Sequence, residues 1–137
     1  MDFVLGFWAS LGSSKQCILD LGFQAKGSPF IHTQSPFTLD LPLGPFKIGD
    51  SDVSMNDCAI LTKEDMTLKI LSPTDCVRDR LSWFLLYHTN PDFSALDQAV
   101  AVANRHKIDL EKTREWAKAE GEIERLAYFE QRLKAIS

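Results

Sequence analysis

An α+β fold, in which a small mixed sheet precedes about four C-terminal helices, is predicted by three features of the sequence. Glycine and proline interrupt the chain every few residues between Phe23 and Phe46, leaving room only for short extended pieces. Met66, Leu68 and Ile70 alternate with polar residues, which is the period of a strand. Beyond Leu71 the apolar residues recur every three to four positions between helix-capping residues. The 137 residues, 45% apolar and 25% charged, fit one domain with a sheet-rich part over 1–71 and a helical part over 72–137.

Taken in order, residues 3–5 are a short apolar run suited to a strand end. A helix is expected late in the next segment, where Cys17, Ile18 and Leu21 share a face and Gly22 supplies a C-terminal stop. Phe30–His32 and Phe37–Leu41 read as brief strands, the second with Phe37, Leu39 and Leu41 on one face and Thr38 and Asp40 on the other. Residues 58–61 and 66–71, flanking Thr62, Lys63, Glu64 and Asp65, predict a hairpin. Ser72, Pro73, Thr74 and Asp75 then supply an N-cap, a proline at the first helical position and an acid at the third, so a helix begins there and runs to about His88, ahead of Pro91. Asp92 caps a second helix with the stripe Leu96, Ala99, Val100 and Ala103, and Asp109 caps a third through Ala119. Gly121 breaks the chain before a last helix with Ile123, Leu126, Ala127 and Leu133 inward and Glu122, Glu124, Arg125 and Arg132 outward.

The formal charge of -4 is spread over both halves, and the ten basic residues beyond position 70 are interleaved with acids as on a solvated helix surface. A nucleic-acid-binding role is disfavoured, because such binding relies on Lys and Arg neutralising phosphates. Cys17, Cys58 and Cys76 lack the paired spacing of a zinc site or a disulfide framework, so free thiols are expected. The opening residues lack the basic region of a signal peptide, and no apolar run reaches the ~18 residues of a membrane span, which points to a cytoplasmic location without membrane contact.

The runs Leu71–Leu81 and Ala95–Ala103, with Ile108, Leu110 and Trp116–Gly121, resemble the C-terminal part of small bacterial nucleotidyltransferase-like proteins of the polymerase-beta-like superfamily. Leu21–Phe23, Ser35–Phe37 and Gly44–Pro45 extend the resemblance over nearly all of the chain from Leu19 onward. It implies a Gly-Ser turn that holds nucleotide phosphates, an Asp-x-Asp strand and a third carboxylate on a later strand. Carboxylates at i and i+2 of a strand share a face, and three such groups offer the oxygen ligands that Mg²⁺ requires. The metal aligns the nucleotide and neutralises charge on the leaving pyrophosphate.

Carried over residue by residue, Asp2 looks like the second carboxylate of Asp-x-Asp and Asp40 like the third. Met1 stands at the middle position, so the first carboxylate and the Gly-Ser turn have no counterpart in this sequence, and Gly12-Ser13 lies downstream of Asp2, in the wrong order. The metal site is then vestigial. The expectation is a degenerate, non-catalytic interaction or regulatory module without a cofactor. The alternative is an active Mg²⁺-dependent nucleotidyltransferase acting on an unidentified acceptor, should upstream residues or a partner complete the site.

Each other candidate has a plainer reading beside the chemical one. Asp50 and Asp52 form a carboxylate pair, but Gly49-Asp50-Ser51-Asp52 is ordinary turn chemistry. Cys76 lies near Arg78 and Arg80, yet no histidine accompanies it as a base, and its place on a first helical turn suits a small packed side chain. Asp75, Arg78, Asp79 and Arg80 read as local helical ion pairs. His32, His88 and His106 are too scattered for a metal site, the last two falling in closing helical turns. Trp83, Phe84 and Tyr87 read as core and interface aromatics rather than as a base-stacking platform. Finally, Phe3, Val4, Leu5, Phe7 and Trp8 form a dense apolar cluster, from which a homodimer paired through the N-terminal segment is expected.

Overall fold

The computed structural model describes residues 10–25, 27, 29–41 and 45–136. The expected strand at 3–5, Asp2 and the apolar cluster of Phe3 to Trp8 lie outside the described residues. Helices and short antiparallel strands make up an α+β chain, which divides into two compact units, Met1–Phe46 and Lys47–Ser137.

In the first unit, α1 (Leu11–Asp20) is longer than expected because Ser10 caps it, its Oγ accepting the Ser13 N–H at 3.0 Å. The hydroxyl outweighs the helix-weakening glycine at position 12. At the other end Gly22, at a φ of 89°, donates its N–H to the Leu19 carbonyl, the left-handed stop that glycine favours. Of the expected apolar face only Ile18 is buried, since Cys17 and Leu21 are exposed. Strands β1 (Phe23–Ala25), β2 (Phe30–His32) and β3 (Ser35–Leu39) follow as an antiparallel meander. Ile18, Phe30 and Leu39 form its core, with Leu19, Phe23 and Leu41 packed around them. The expected face of β3 is broken: Phe30 pairs with Leu39 and Ile31 with Thr38, but His32 pairs with Ser35 across a register shift. Pro36 has no N–H for the ladder, and the irregularity it occupies leaves Phe37 59% exposed.

The second unit starts with a hairpin of β4 (Lys47–Ile48) and β5 (Ser51–Asp52), turned at Gly49 with φ 61°. A second hairpin, β6 (Ala59–Lys63) and β7 (Met66–Ile70), lies where the sequence placed it, turned at Glu64 and Asp65. The described strands therefore form three separate antiparallel sheets instead of one mixed sheet. Two-residue connections such as Thr33-Gln34 and Gly49-Asp50 reverse the chain at once, whereas a parallel pair needs a crossover of about a dozen residues.

Four helices close this unit: α2 (Pro73–Leu85), α3 (Phe93–Arg105), α4 (Leu110–Ala119) and α5 (Ile123–Ile136). The caps are those read from the sequence. Ser72 accepts from Asp75, Asp92 from Ser94 and Ala95, and Asp109 from Lys112. Ala95, Leu96, Ala99 and Val100 are buried as the α3 stripe requires, the two alanines allowing a close approach to α2. α2 ends at Leu85, short of the expected His88, and His88 lies beyond it. The α5 pattern is rotated from the expected one. Leu126 and Phe129 are buried, Ile123 and Ala127 are exposed, and Glu122 and Arg125 turn inward toward the closing end of α2.

Candidate functional site

Asp40 follows β3 directly, beside the buried Leu39, and is itself half-buried. One of its oxygens accepts the Leu41 N–H at 2.9 Å. Alternation along the strand sets Asp40 against Leu39 on opposite faces, so the carboxylate stands clear of the apolar core of the first unit. Its expected companion, Asp2, is outside the described residues, and the adjacency of the two has no geometry to report. No group of three or more His, Cys, Asp or Glu side chains among the described residues is arranged to hold a metal ion.

The other candidates resolve into local structure. Asp50 occupies the β4–β5 turn, its N–H donating to Glu120 Oε1 at 2.8 Å, and Asp52 faces Lys47 across the ladder at 3.7 Å. A Cβ on Gly49 would come within 2.3 Å of that same Glu120 carboxylate, so the turn requires glycine both for its φ and for this approach. His32 packs its ring on Phe23 and accepts the Gln34 N–H through Nδ1, while His106 is the C-cap of α3. The Cys76 thiol is half-buried, and burial pushes its pKa up despite the opposing pull of Arg80. That is the setting of an unreactive packed thiol.

The densest polar site of the described residues is built on the first turns of α2. Asp75 is only 2% exposed, yet both of its oxygens are engaged. Oδ2 accepts from Ser72 Oγ at 2.7 Å, completing the reciprocal cap, while Oδ1 accepts from Arg78 Nη1 at 2.7 Å with Lys112 Nζ of α4 at 3.5 Å. Arg78 lies over the ring of Trp116, 5.4 Å from its centroid, and Trp116 Nε1 donates to the Ile48 carbonyl of β4 at 3.1 Å. Thr74 Oγ1 accepts the N–H of Asp109, the α4 cap, at 2.9 Å. The exposed ion pairs expected here are thus replaced by a buried one, and only Asp79 with Arg80 remains a half-exposed pair. Buried charges of this kind are tolerated only when paired and hydrogen-bonded.

Comparison with protein-family models, with curated proteins and with solved structures finds no match to this chain. A second polar knot lies at the other end of α2. Arg125 of α5 donates to the carbonyls of Leu85 and Phe84 at 2.6 and 2.9 Å and sits over the Phe84 ring, satisfying carbonyls that a helix end leaves open. Glu122 Oε1 lies 2.7 Å from His88 Nε2, and the Glu122 carboxylate is 4.0 Å from Arg125. Sequence reasoning missed this knot. No local signal marks it, since Glu122 and Arg125 have the spacing of a solvated helical pair and His88 lies far earlier in the chain.

Of the aromatics Trp83, Phe84 and Tyr87, Phe84 alone is core. Trp83 and Tyr87 stack face to face on the surface, their ring planes 6° apart and centroids 5.2 Å apart, and are 46% and 52% exposed. No helix among the described residues is long and apolar enough to cross a membrane.

Proposed function

We propose that this chain is a nucleotidyltransferase-like domain acting as a non-catalytic interaction or regulatory module. The observation that carries this reading is the engagement of Asp75. The run of Ser72, Thr74, Asp75 and Arg78, central to the resemblance, is committed to joining α2 to α4 and β4, with both Asp75 oxygens occupied and shut off from water. A carboxylate so enclosed and paired is not open to an outside metal or nucleotide. Trp83, Tyr87 and Phe93 are exposed on the helical unit with Asn90 and Asp92 beside them, a composition suited to contact with a partner. Incubation of the chain with labelled nucleoside triphosphates, Mg²⁺ or Mn²⁺, and protein or RNA acceptors tests the reading. No transfer above background is expected. Turnover that disappears with Asp40→Asn overturns it in favour of an active Mg²⁺-dependent transferase.

A further inference from the structure

Every residue from Ile60 to Ile70 is exposed, although β6 and β7 form a sheet of their own. A lone two-stranded hairpin is at best marginally stable in water, and further strands or a packed face secure it. The register sets Leu61 against Leu68, Ala59 against Ile70 and Lys63 against Met66, so Leu61, Met66, Leu68 and Ile70 share one face. Each is between 39% and 63% exposed. A contiguous apolar patch of this kind marks an interaction surface.

The hairpin has two edges, and they are not equivalent. Its two-residue turn makes Lys63 and Met66 a hydrogen-bonded pair, and alternation then directs the N–H and C=O groups of Thr67 and Lys69 outward from β7, and those of Ile60 and Thr62 outward from β6. No backbone hydrogen bond among the described residues engages Thr67 or Lys69 at the outer edge of β7. Antiparallel pairing of β7 with the β7 of a second copy, centred on Leu68, sets Thr67 against Lys69 on either side of the centre, so that each pair exchanges both backbone hydrogen bonds. The strand reads Met-Thr-Leu-Lys-Ile, the same alternation of apolar and polar from either end. The apolar side chains therefore stay on one face, with Leu68 beside its own counterpart and Met66 beside Ile70 of the second copy. Charge fits as well. Asp65, one residue ahead of β7, comes within diagonal reach of Lys69 of the second copy, twice by symmetry. The Lys69 ammonium meets the Met55 carbonyl at 3.3 Å and keeps further N–H donors for a carboxylate. β6 offers less: centred on Leu61, it would set Ala59 against Lys63 and bring Asp57 against Asp65 at both ends, a like-charge contact.

We propose that β7 is a dimerisation edge, through which two copies of this chain pair about a two-fold axis at Leu68 and join their hairpins into one antiparallel sheet. The proposal rests on the hairpin alone, independently of Asp40, of the Asp75 cluster and of the Phe3 to Trp8 run. Sedimentation velocity of the full chain over micromolar concentrations is the test, and a dimer is expected. Asp65→Lys puts like charges at both diagonal contacts, and Lys69→Asp does the same with acids, so each variant alone is expected to dimerise roughly tenfold more weakly. Mixed in equal amounts, the two variants restore opposite charges at both contacts, and a heterodimer close to the unaltered affinity is expected. Recovery of pairing by two chains that fail separately also shows that both are folded. In Leu68→Cys, mild oxidation is expected to bridge two copies at position 68, located by peptide mapping, because facing residues of a non-hydrogen-bonded pair lie close. A chain that stays monomeric leaves the edge to a foreign strand and overturns the proposal. So does a dimer that is lost with Phe7→Asp and Trp8→Asp but indifferent to Asp65→Lys, a mixture that does not recover, or the absence of a bridge at position 68.

Discussion

Replacing Asp75 by asparagine removes one charge and almost no volume, and it isolates what the buried cluster contributes. The Arg78 guanidinium would face a neutral amide while remaining shut away, its side chain 7% exposed. Removing one partner of a buried ion pair typically costs 3–5 kcal/mol, because the other charge is left without compensation. Two features place the expected loss near the lower end. Lys112 is 41% exposed at its side chain and can turn to water, and the Trp116 ring keeps its hold on Arg78, which is worth about 1–2 kcal/mol. A loss of about 3 kcal/mol follows, a large share of the 5–15 kcal/mol by which domains of this size are usually stable. Urea denaturation followed by circular dichroism at the helical minimum measures it. Asp79→Asn is the control, breaking a pair that is partly in water, with an expected loss below about 1 kcal/mol. Replacing Asp75 by leucine together with Arg78 by methionine should recover most of the loss, since an apolar pair leaves no orphaned charge. If Asp75→Asn proves no more costly than Asp79→Asn, the reading of the cluster as a structural hub is wrong.

Two further outcomes are expected. Iodoacetamide should modify the exposed Cys17 readily and Cys76 several-fold more slowly, with Cys76 requiring a more alkaline pH than an ordinary thiol because burial disfavours its thiolate; equal rates at both positions would contradict the packing of α2. From the apolar run Phe3 to Trp8, a homodimer is expected in sedimentation at micromolar concentration and should dissociate with Phe7→Asp and Trp8→Asp; a monomer, or a dimer indifferent to both changes, would exclude an interface built from that segment.

The helical unit was largely legible in the sequence because its boundaries are set locally. Ser72, Asp92 and Asp109 cap within three residues of themselves, and Gly121 marks the break at a φ of 77°. The same locality made Ser10 a missed opportunity, since a serine three residues before Ser13 is a cap signal of the same kind. Strand faces were less legible. The irregularity at Pro36 shifts the register on one side, and that depends on the pairing partner, which no local pattern encodes. Charged side chains were the least legible. Arg125 and Glu122 have the spacing of surface residues, and only the end of α2, about 40 residues away in the chain, draws them inward. For the candidate site, the Ser72–Asp75 cap was readable, but Lys112 and Trp116, which turn a cap into a buried cluster, were not.

The link between Thr74 and Asp109 spans 35 residues, and that between Ile48 and Trp116 spans 68. During synthesis the start of α2 leaves the ribosome well before α4 does, by roughly 2 to 7 seconds at ordinary elongation rates. Throughout that interval Asp75 and Arg78 have each other but neither the lysine nor the indole that complete their surroundings, and the β4 hairpin has nothing to dock on. The helical unit therefore closes late, when its last third has been made. A slow stretch of translation placed just after α2 would prolong the exposed state, whereas one placed after α4 would allow the cluster to assemble before the chain is released.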